Sequence, residues 1–478
     1  MLFSATKQPL NAFAVKLLYG IGVLCLLAVL LSIGFDTPYF LALPVLAVGV
    51  MAVFSELKYL YFLLVASLPL SIDLDFGGMG LAFPSEGLMI LLSACFFLLL
   101  LVKTNIARQK FWRQPIFYLL ILHWLWILFA AIMSQNWEIS FKFLIAKTWF
   151  LVPFGFMTAL YVKNDEHFKP LLWGLLLATV LVDMQALLRQ MALNFDFEFV
   201  NKSVTPFFAN HVDYATFQVL IFPYALLLRS SFKKNSLARL FIDASMLIMV
   251  LAIALSYTRA AYVALAIIPV AIWLIKNKLI PAVLLLVSVG AVVGVLYLST
   301  NNRFVDYAPN YDTTLHHKNF SDHLEATIEL TDMSAMERVY RWIAGFRMSA
   351  VYPLHGFGPA TFASYYKSYT SSMFETYVSD NEEQSTVHLY YLLVLLEQGV
   401  PGFLIFMALI FAGLLYAQKA YHRKNISSGQ QKLLLAATVS LMIMCVVLLV
   451  GDLVEADALG PFLFMSLAII ARIERELA

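Results

Sequence analysis

With 478 residues, of which 61% are hydrophobic and 13% charged, the chain departs from the composition of a soluble domain, which is about half apolar and about a quarter charged. Charges are what a bilayer excludes, so their scarcity is the stronger sign of membrane residence. A net charge of +2 supplies no overall basic field for nucleic acid. The three cysteines, Cys25, Cys95 and Cys445, lie inside apolar runs and offer neither zinc spacing nor a disulfide framework.

About 20 apolar residues cross the hydrocarbon core as a helix. Fourteen runs of this kind are centred near residues 25, 47, 65, 94, 125, 152, 180, 220, 247, 267, 288, 408, 442 and 466. Lys7 and Lys16 precede the first, as in a signal peptide. No small-residue cleavage site is evident, so this run is expected to stay as a membrane helix. The predicted fold class is therefore an all-α polytopic membrane protein. It has about 14 transmembrane helices and one long outward-facing loop containing short helices. Residues 1–299 hold the first eleven helices, 300–386 the loop and 387–478 the last three.

Basic residues in the short loops set the orientation. With the N-terminus inside, the inward loops hold Lys103, Arg108, Lys110, Arg113, Lys163, Lys169, Arg229, Lys233, Lys234 and Arg239. Further along they hold Lys276, Lys278, Lys419, Arg423, Lys424 and Lys432, and Arg472 and Arg475 end the chain on the same side. The outward short loops carry only Lys142, Lys147, Arg189, Lys202 and Arg259, together with acids such as Asp36, Asp73, Asp75, Asp452, Glu455 and Asp457. An even number of spans keeps this asymmetry along the whole chain. The polar stretch 300–386 falls outside, and a loop of that length is expected to be functional and partly folded. Within it, residues 336–350 read as an amphipathic helix, with Arg338 and Arg341 on one face. Pro353, Gly356, Gly358 and Pro359 then supply turn chemistry.

There is no Walker-type phosphate loop, dinucleotide fingerprint, H-E-x-x-H motif or Cys/His cluster. An enzyme working at the outward face also lacks cytoplasmic nucleotide sugars, so its donor should arrive activated and membrane-bound. His388 stands where the polar loop meets the membrane. A helix beginning there is interrupted about three turns later by Gly399, Pro401 and Gly402. It reads either as an interfacial histidine satisfied by loop carbonyls or as a general base for a sugar hydroxyl. Arg259, in a turn between apolar runs, either snorkels to headgroups or points into a polar cavity, where its fork suits phosphate. Arg338 and Arg341 form a solvated helix face or a second phosphate grip. Lys202, Asn210, His211 and Asp213 cluster outside, binding sugar or capping the next helix. Asp183 and Arg189 are close enough in sequence to pair. Asp73 and Asp75 form a D-x-D pair of the kind found by chance in loops.

The spacing His388-(x10)-Gly399-x-x-Gly402 resembles the histidine-to-glycine signature of the O-antigen ligase and polymerase superfamily, which also includes O-linked oligosaccharyltransferases. Leu389 stands where that family often has Asn, Ser or Gln. SYTRAAY around Arg259 is similar to its Ser/Thr-Arg-small motif. The stretch from Arg338 through His355 to Pro359 looks like its loop helix and Gly-x-Gly-Pro turn, and FANHVDYATF at 208–217 resembles a fourth block.

The resemblance implies a metal-independent, inverting glycosyltransferase without cofactors at the periplasmic face of a bacterial inner membrane, with both termini cytoplasmic. Its donor is a glycan on undecaprenyl diphosphate. Its acceptor is lipid A core, a second glycan or a protein hydroxyl. On this reading His388, Arg259 and Arg338 are catalytic, and Arg341, Lys202, His211 and Arg189 bind substrate. Membrane lipids are partners and nucleic acid is not. Two alternatives stay open. One is a transporter or lipid flippase with Asp183 and Asp243 as coupling groups. The other is a metal-dependent transferase using Asp36.

Overall fold

Apolar helices and their need to satisfy every backbone group inside a bilayer organise the chain. The computed structural model describes residues 57–75, 80–102, 106, 108–162, 165–300, 333–371, 381 and 384–478. Among the described residues, nine helices are long and apolar enough to cross a membrane. They are Pro115–Ile132, Trp137–Tyr161, Phe168–Ala192, His211–Ser230, Leu237–Leu255, Arg259–Lys276, Ile280–Tyr297, Tyr390–Tyr421 and Ser428–Val447. Two shorter apolar helices, Leu57–Leu70 and Ser85–Leu101, fall on the predicted spans near residues 65 and 94. Between them lies an antiparallel ribbon of Ile72–Asp75 and Gly80–Phe83, pairing Asp73 with Ala82. This ribbon was not expected, and it holds Asp73 exposed.

The predicted spans near residues 25 and 47 lie outside the described residues, as do 301–332 and 372–380 of the long loop. The last predicted span is an amphipathic helix, Gly460–Leu477. Arg472, Glu474, Arg475 and Glu476 crowd its final turns, yet nearly all of its apolar length is buried. Glu474 is held there by Arg423 at 3.1 Å and Lys419 at 3.8 Å.

The loop helix extends over Met333–Val351, slightly beyond the predicted 336–350. Tyr340, Ile343, Ala344 and Met348 form its buried stripe, at the i, i+3, i+4 spacing of a helix face. Gly345 lies on that stripe, where an added Cβ would meet Val387 and Leu392 at 3.0–3.2 Å. The helix therefore packs tightly across the start of Tyr390–Tyr421.

That long helix is broken where the sequence places Gly399 and Pro401. Gly399 adopts φ 72° and ψ −179°, a conformation essentially reserved for glycine. The break frees backbone groups, and the turn after the loop helix satisfies them. Phe357 N–H donates to Leu396 O at 2.9 Å, and Gly358 N–H to Glu397 O at 3.0 Å. Val400 N–H donates to Pro353 O at 2.7 Å. Trp126 Nε1 donates to Gln398 O at 2.8 Å. Glu397, only 3% exposed, accepts Ala360 N–H at 2.8 Å and Phe362 N–H at 3.0 Å. On its other side the turn is tied to the Ser134–Ser140 segment, where Gln135 N–H donates to Phe357 O and Ser140 Oγ to Pro359 O. The glycines permit this approach: a Cβ on Gly399 would lie 2.4 Å from the Leu354 carbonyl, and one on Gly356 2.2 Å from the Glu397 carbonyl carbon.

Gly399→Ala is expected to destabilise the fold by about 2–3 kcal/mol, through backbone strain and the clash with Leu354. Glu397→Ala, which strands two buried N–H groups, should cost about as much. Thermal midpoints of the detergent-solubilised protein check both. A midpoint within error of wild type for Gly399→Ala would show that the turn does not dock as described.

Candidate active site

The docked turn fixes the loop helix above the start of Tyr390–Tyr421, and this junction holds the first group of candidate residues. Arg341 is 6% exposed and reaches back from the helix. Its Nη1 donates to Thr386 O at 3.2 Å and to His388 Nε2 at 2.9 Å, while Nη2 lies 3.7 Å from Glu337 Oε2. Its Nε–H has no hydrogen-bond partner among the described residues. Arg338, half-buried one turn earlier, is close enough for its charge to act on the same imidazole.

His388 differs from expectation in one respect. It lies two residues before the helix rather than at its first position, with φ 53°. A non-glycine residue in that region is uncommon, and such conformations concentrate at functional sites. Burial, then the charges of Arg341 and Arg338, lower its pKa from 6.5 to about 4. The ring is therefore neutral at physiological pH. Arg341 donates to Nε2, so the proton resides on Nδ1.

The turn between Ser428–Val447 and Gly460–Leu477 closes the junction from below. Leu448 O accepts Tyr390 N–H at 3.0 Å, and the Tyr390 hydroxyl donates to Glu455 Oε1 at 2.7 Å. Asp452 accepts the Thr386 hydroxyl. Burial raises the Asp452 pKa, and Glu455 adds to the rise. Asp457 is pushed up to about 7 by burial and by Glu86, Asp73 and Glu455.

The second group surrounds the start of His211–Ser230. Asn210 Oδ1 caps it by accepting Val212 and Asp213 N–H, both at 2.9 Å. Asn201 Oδ1 accepts His211 N–H at 3.0 Å and its Nδ1–H at 2.7 Å. Thr258 Oγ1 donates to His211 O at 3.3 Å, which sets Arg259, the first residue of its helix, beside this cap. Lys202 Nζ lies 4.8 Å from the Phe199 ring centroid. Asp213 and Asp452 are near enough to repel each other, so both groups occupy one end of the helix bundle.

One expected pair does not form. Asp183 instead accepts Tyr214 OH at 2.8 Å and Gln218 Nε2 at 2.7 Å, because it is buried a turn and a half deeper than Arg189, whose guanidinium bonds Thr205 O. Asp243 is bound to Arg229 and Arg239. Asp36 lies outside the described residues, and among those described no group of three His, Cys, Asp or Glu residues is placed to hold a metal ion. Sequence reasoning missed Glu397, and it read Lys147, Asp452 and Glu455 only as markers of sidedness. Glu397 was signalled by being a charge within an apolar run, whereas Lys142 and Lys147, expected in an outward short loop, lie within the helix Trp137–Tyr161.

These features define a multi-pass membrane protein with a polar, arginine-rich site at one end of its helices. Residues 244–407 match the family described as O-antigen ligase, which supports membership of the O-antigen ligase superfamily. The matched segment runs from Leu237–Leu255 through Arg259, Arg338 and His388 to the break at Gly399, and it supports glycosyl transfer of the O-antigen ligase or polymerase type. No curated protein matches the chain.

The His388 environment has a consequence for stability. In the unfolded chain the imidazole protonates near about 6.5, but in the fold only near about 4. Between those values the unfolded state binds more protons. The contribution is therefore complete above pH 6.5 and lost as pH falls towards 4. Thermal midpoints measured across that range should fall more steeply for wild type than for His388→Gln. Identical slopes would contradict the buried, neutral ring.

Proposed function

We propose that the protein transfers a glycan from an undecaprenyl-diphosphate-type lipid to an acceptor hydroxyl at the periplasmic face of a bacterial inner membrane. The observation that carries this reading is the contact between the His388 imidazole and Arg341, with Arg338 alongside, at the same end of the bundle as Arg259. The basic asymmetry of the loops supports placing that end outside.

The donor's polyprenyl tail stays in the bilayer while its diphosphate is held by Arg259 and Arg338. Guanidinium pairs suit phosphate oxygens through parallel charge-assisted hydrogen bonds. Lys202 and His211 contact the sugar, with Arg189 steadying the turn that carries them. The Nε2 lone pair of His388 accepts a hydrogen bond from Arg341 Nη1. When the diphosphate arrives, Arg341 turns towards it, using the Nε–H that is otherwise unspent, and uncovers that lone pair. His388 then takes the acceptor's proton as the hydroxyl oxygen attacks the anomeric carbon from the face opposite the leaving group. The bond from that carbon to the diphosphate oxygen breaks, and the electron pair leaves on the diphosphate. The guanidinium groups stabilise the charge that develops there. One displacement inverts the anomeric centre, and the arginines supply the positive charge without a metal or cofactor.

His388→Ala should abolish transfer in a purified assay with donor lipid, while the protein stays folded and inserted. Arg259→Ala and Arg338→Ala should each lower the rate about 100- to 1,000-fold. Near-normal transfer by His388→Ala would overturn the assignment of the base. Because the ring protonates only near about 4, the rate is expected to stay level from pH 7.5 down to about 5.5 and to fall below that. An inflection near 6.5 that disappears in a His388 variant would contradict the lowered pKa.

A further inference from the structure

Lys147 is placed where a cation is costly. It lies about 15 Å along its helix from the outward start at Trp137, is 6% exposed, and has the rings of Phe143, Phe150 and Phe464 within 6.0 Å. Its Nζ lies 2.8 Å from Glu455 Oε1, the same oxygen that accepts the Tyr390 hydroxyl at 2.7 Å. A buried ion pair is weak evidence for stability, since well-packed apolar residues often serve as well. Its position relative to His388 suggests a different role.

Tyr390 is tied at two points to the turn that carries Glu455: its N–H to Leu448 O and its hydroxyl to Glu455. His388, two residues earlier, holds a left-handed backbone conformation. Such a conformation persists only where its surroundings over-determine it. The loop helix secures His388 from one side through Arg341, and Tyr390 secures it from the other. Lys147 fixes the carboxylate that fixes Tyr390. Neither Lys147 nor Glu455 falls within the matched segment 244–407.

We propose that Lys147, Glu455 and Tyr390 form a positioning unit that holds His388 in its left-handed conformation, with the imidazole aimed at the acceptor hydroxyl. The three are positioning residues and do not touch substrate. The inference rests on the reading of His388 as the base.

The test uses the full-length protein in detergent or proteoliposomes. Tyr390→Phe removes one hydroxyl. Glu455→Gln keeps an acceptor oxygen and removes the charge. A Lys147→Met/Glu455→Met double variant replaces the pair with apolar side chains. Two quantities are measured: kcat and KM for lipid donor and acceptor, and the rate at which diethyl pyrocarbonate acylates His388, followed by peptide mass spectrometry. Each variant is expected to lower kcat at least about tenfold, as a misplaced reacting group does. Both KM values should stay near wild type, and His388 acylation should shift in every variant that loses rate. Wild-type kcat in Tyr390→Phe and Glu455→Gln, beside an inactive His388→Ala, would overturn this proposal and leave the base assignment standing. A fall in kcat with unchanged acylation would also overturn it, because the effect would then bypass His388. Activity in His388→Ala would instead remove the reading on which it rests.

Discussion

A helix broken inside a bilayer exposes backbone donors and acceptors that lipid cannot satisfy, and this constraint shapes the site. At Gly399 the unmet groups of Leu396, Glu397, Gln398 and Val400 are taken up by one turn of the outward loop and by Trp126. The turn is thus bound by main-chain hydrogen bonds to the helix that His388 precedes. The loop helix ahead of the turn brings Arg338 and Arg341 to the imidazole. A loop attached only by side chains would leave the arginines free to wander. The break makes the loop helix part of a rigid frame.

Electrostatics then divides the labour around that frame. His388 is kept neutral by burial and by two guanidinium groups. Asp452 and Glu455 of the 448–459 turn tie down Thr386 and Tyr390 on either side of it. Cations lie on the loop helix and at the start of Arg259–Lys276, at the same end of the bundle. The same end of the bundle therefore carries cationic side chains and a neutral imidazole.

Much of this was legible in the sequence, and the rest has identifiable reasons for being hidden. Twelve of the fourteen predicted span centres fall on described helices, because apolar runs of this length have few alternatives. The two short outer helices and the charged end of Gly460–Leu477 blurred the signal, since a short or amphipathic span is defined by its neighbours. His388 was readable at the edge of an apolar run, and Arg338 and Arg341 as one face of an amphipathic helix in the polar loop. That Arg341 would engage the imidazole, while Arg338 stands beside it, depends on how one helix rolls over another. Glu397 was visible as a charge in an apolar stretch, and Lys147 as a cation assigned to a short loop. Their partners lie at Ala360 and Phe362 in one case and at Glu455 in the other, and no local pattern joins residues separated by so much chain. The expected Asp183–Arg189 pair failed for the converse reason: nearness in sequence did not place the two side chains at the same depth.

Gly356 and Gly399 are each pressed against the main chain of the other's segment. Neither can acquire a side chain unless the opposite strand of the junction moves, so the two positions behave as one unit although 43 residues separate them. Exchanging this loop with a relative's therefore has natural cut points. A graft must either keep residues 353–362 with their own helix or import the matching stretch around 396–402. A boundary drawn between them would combine two halves of a joint shaped for different counterparts.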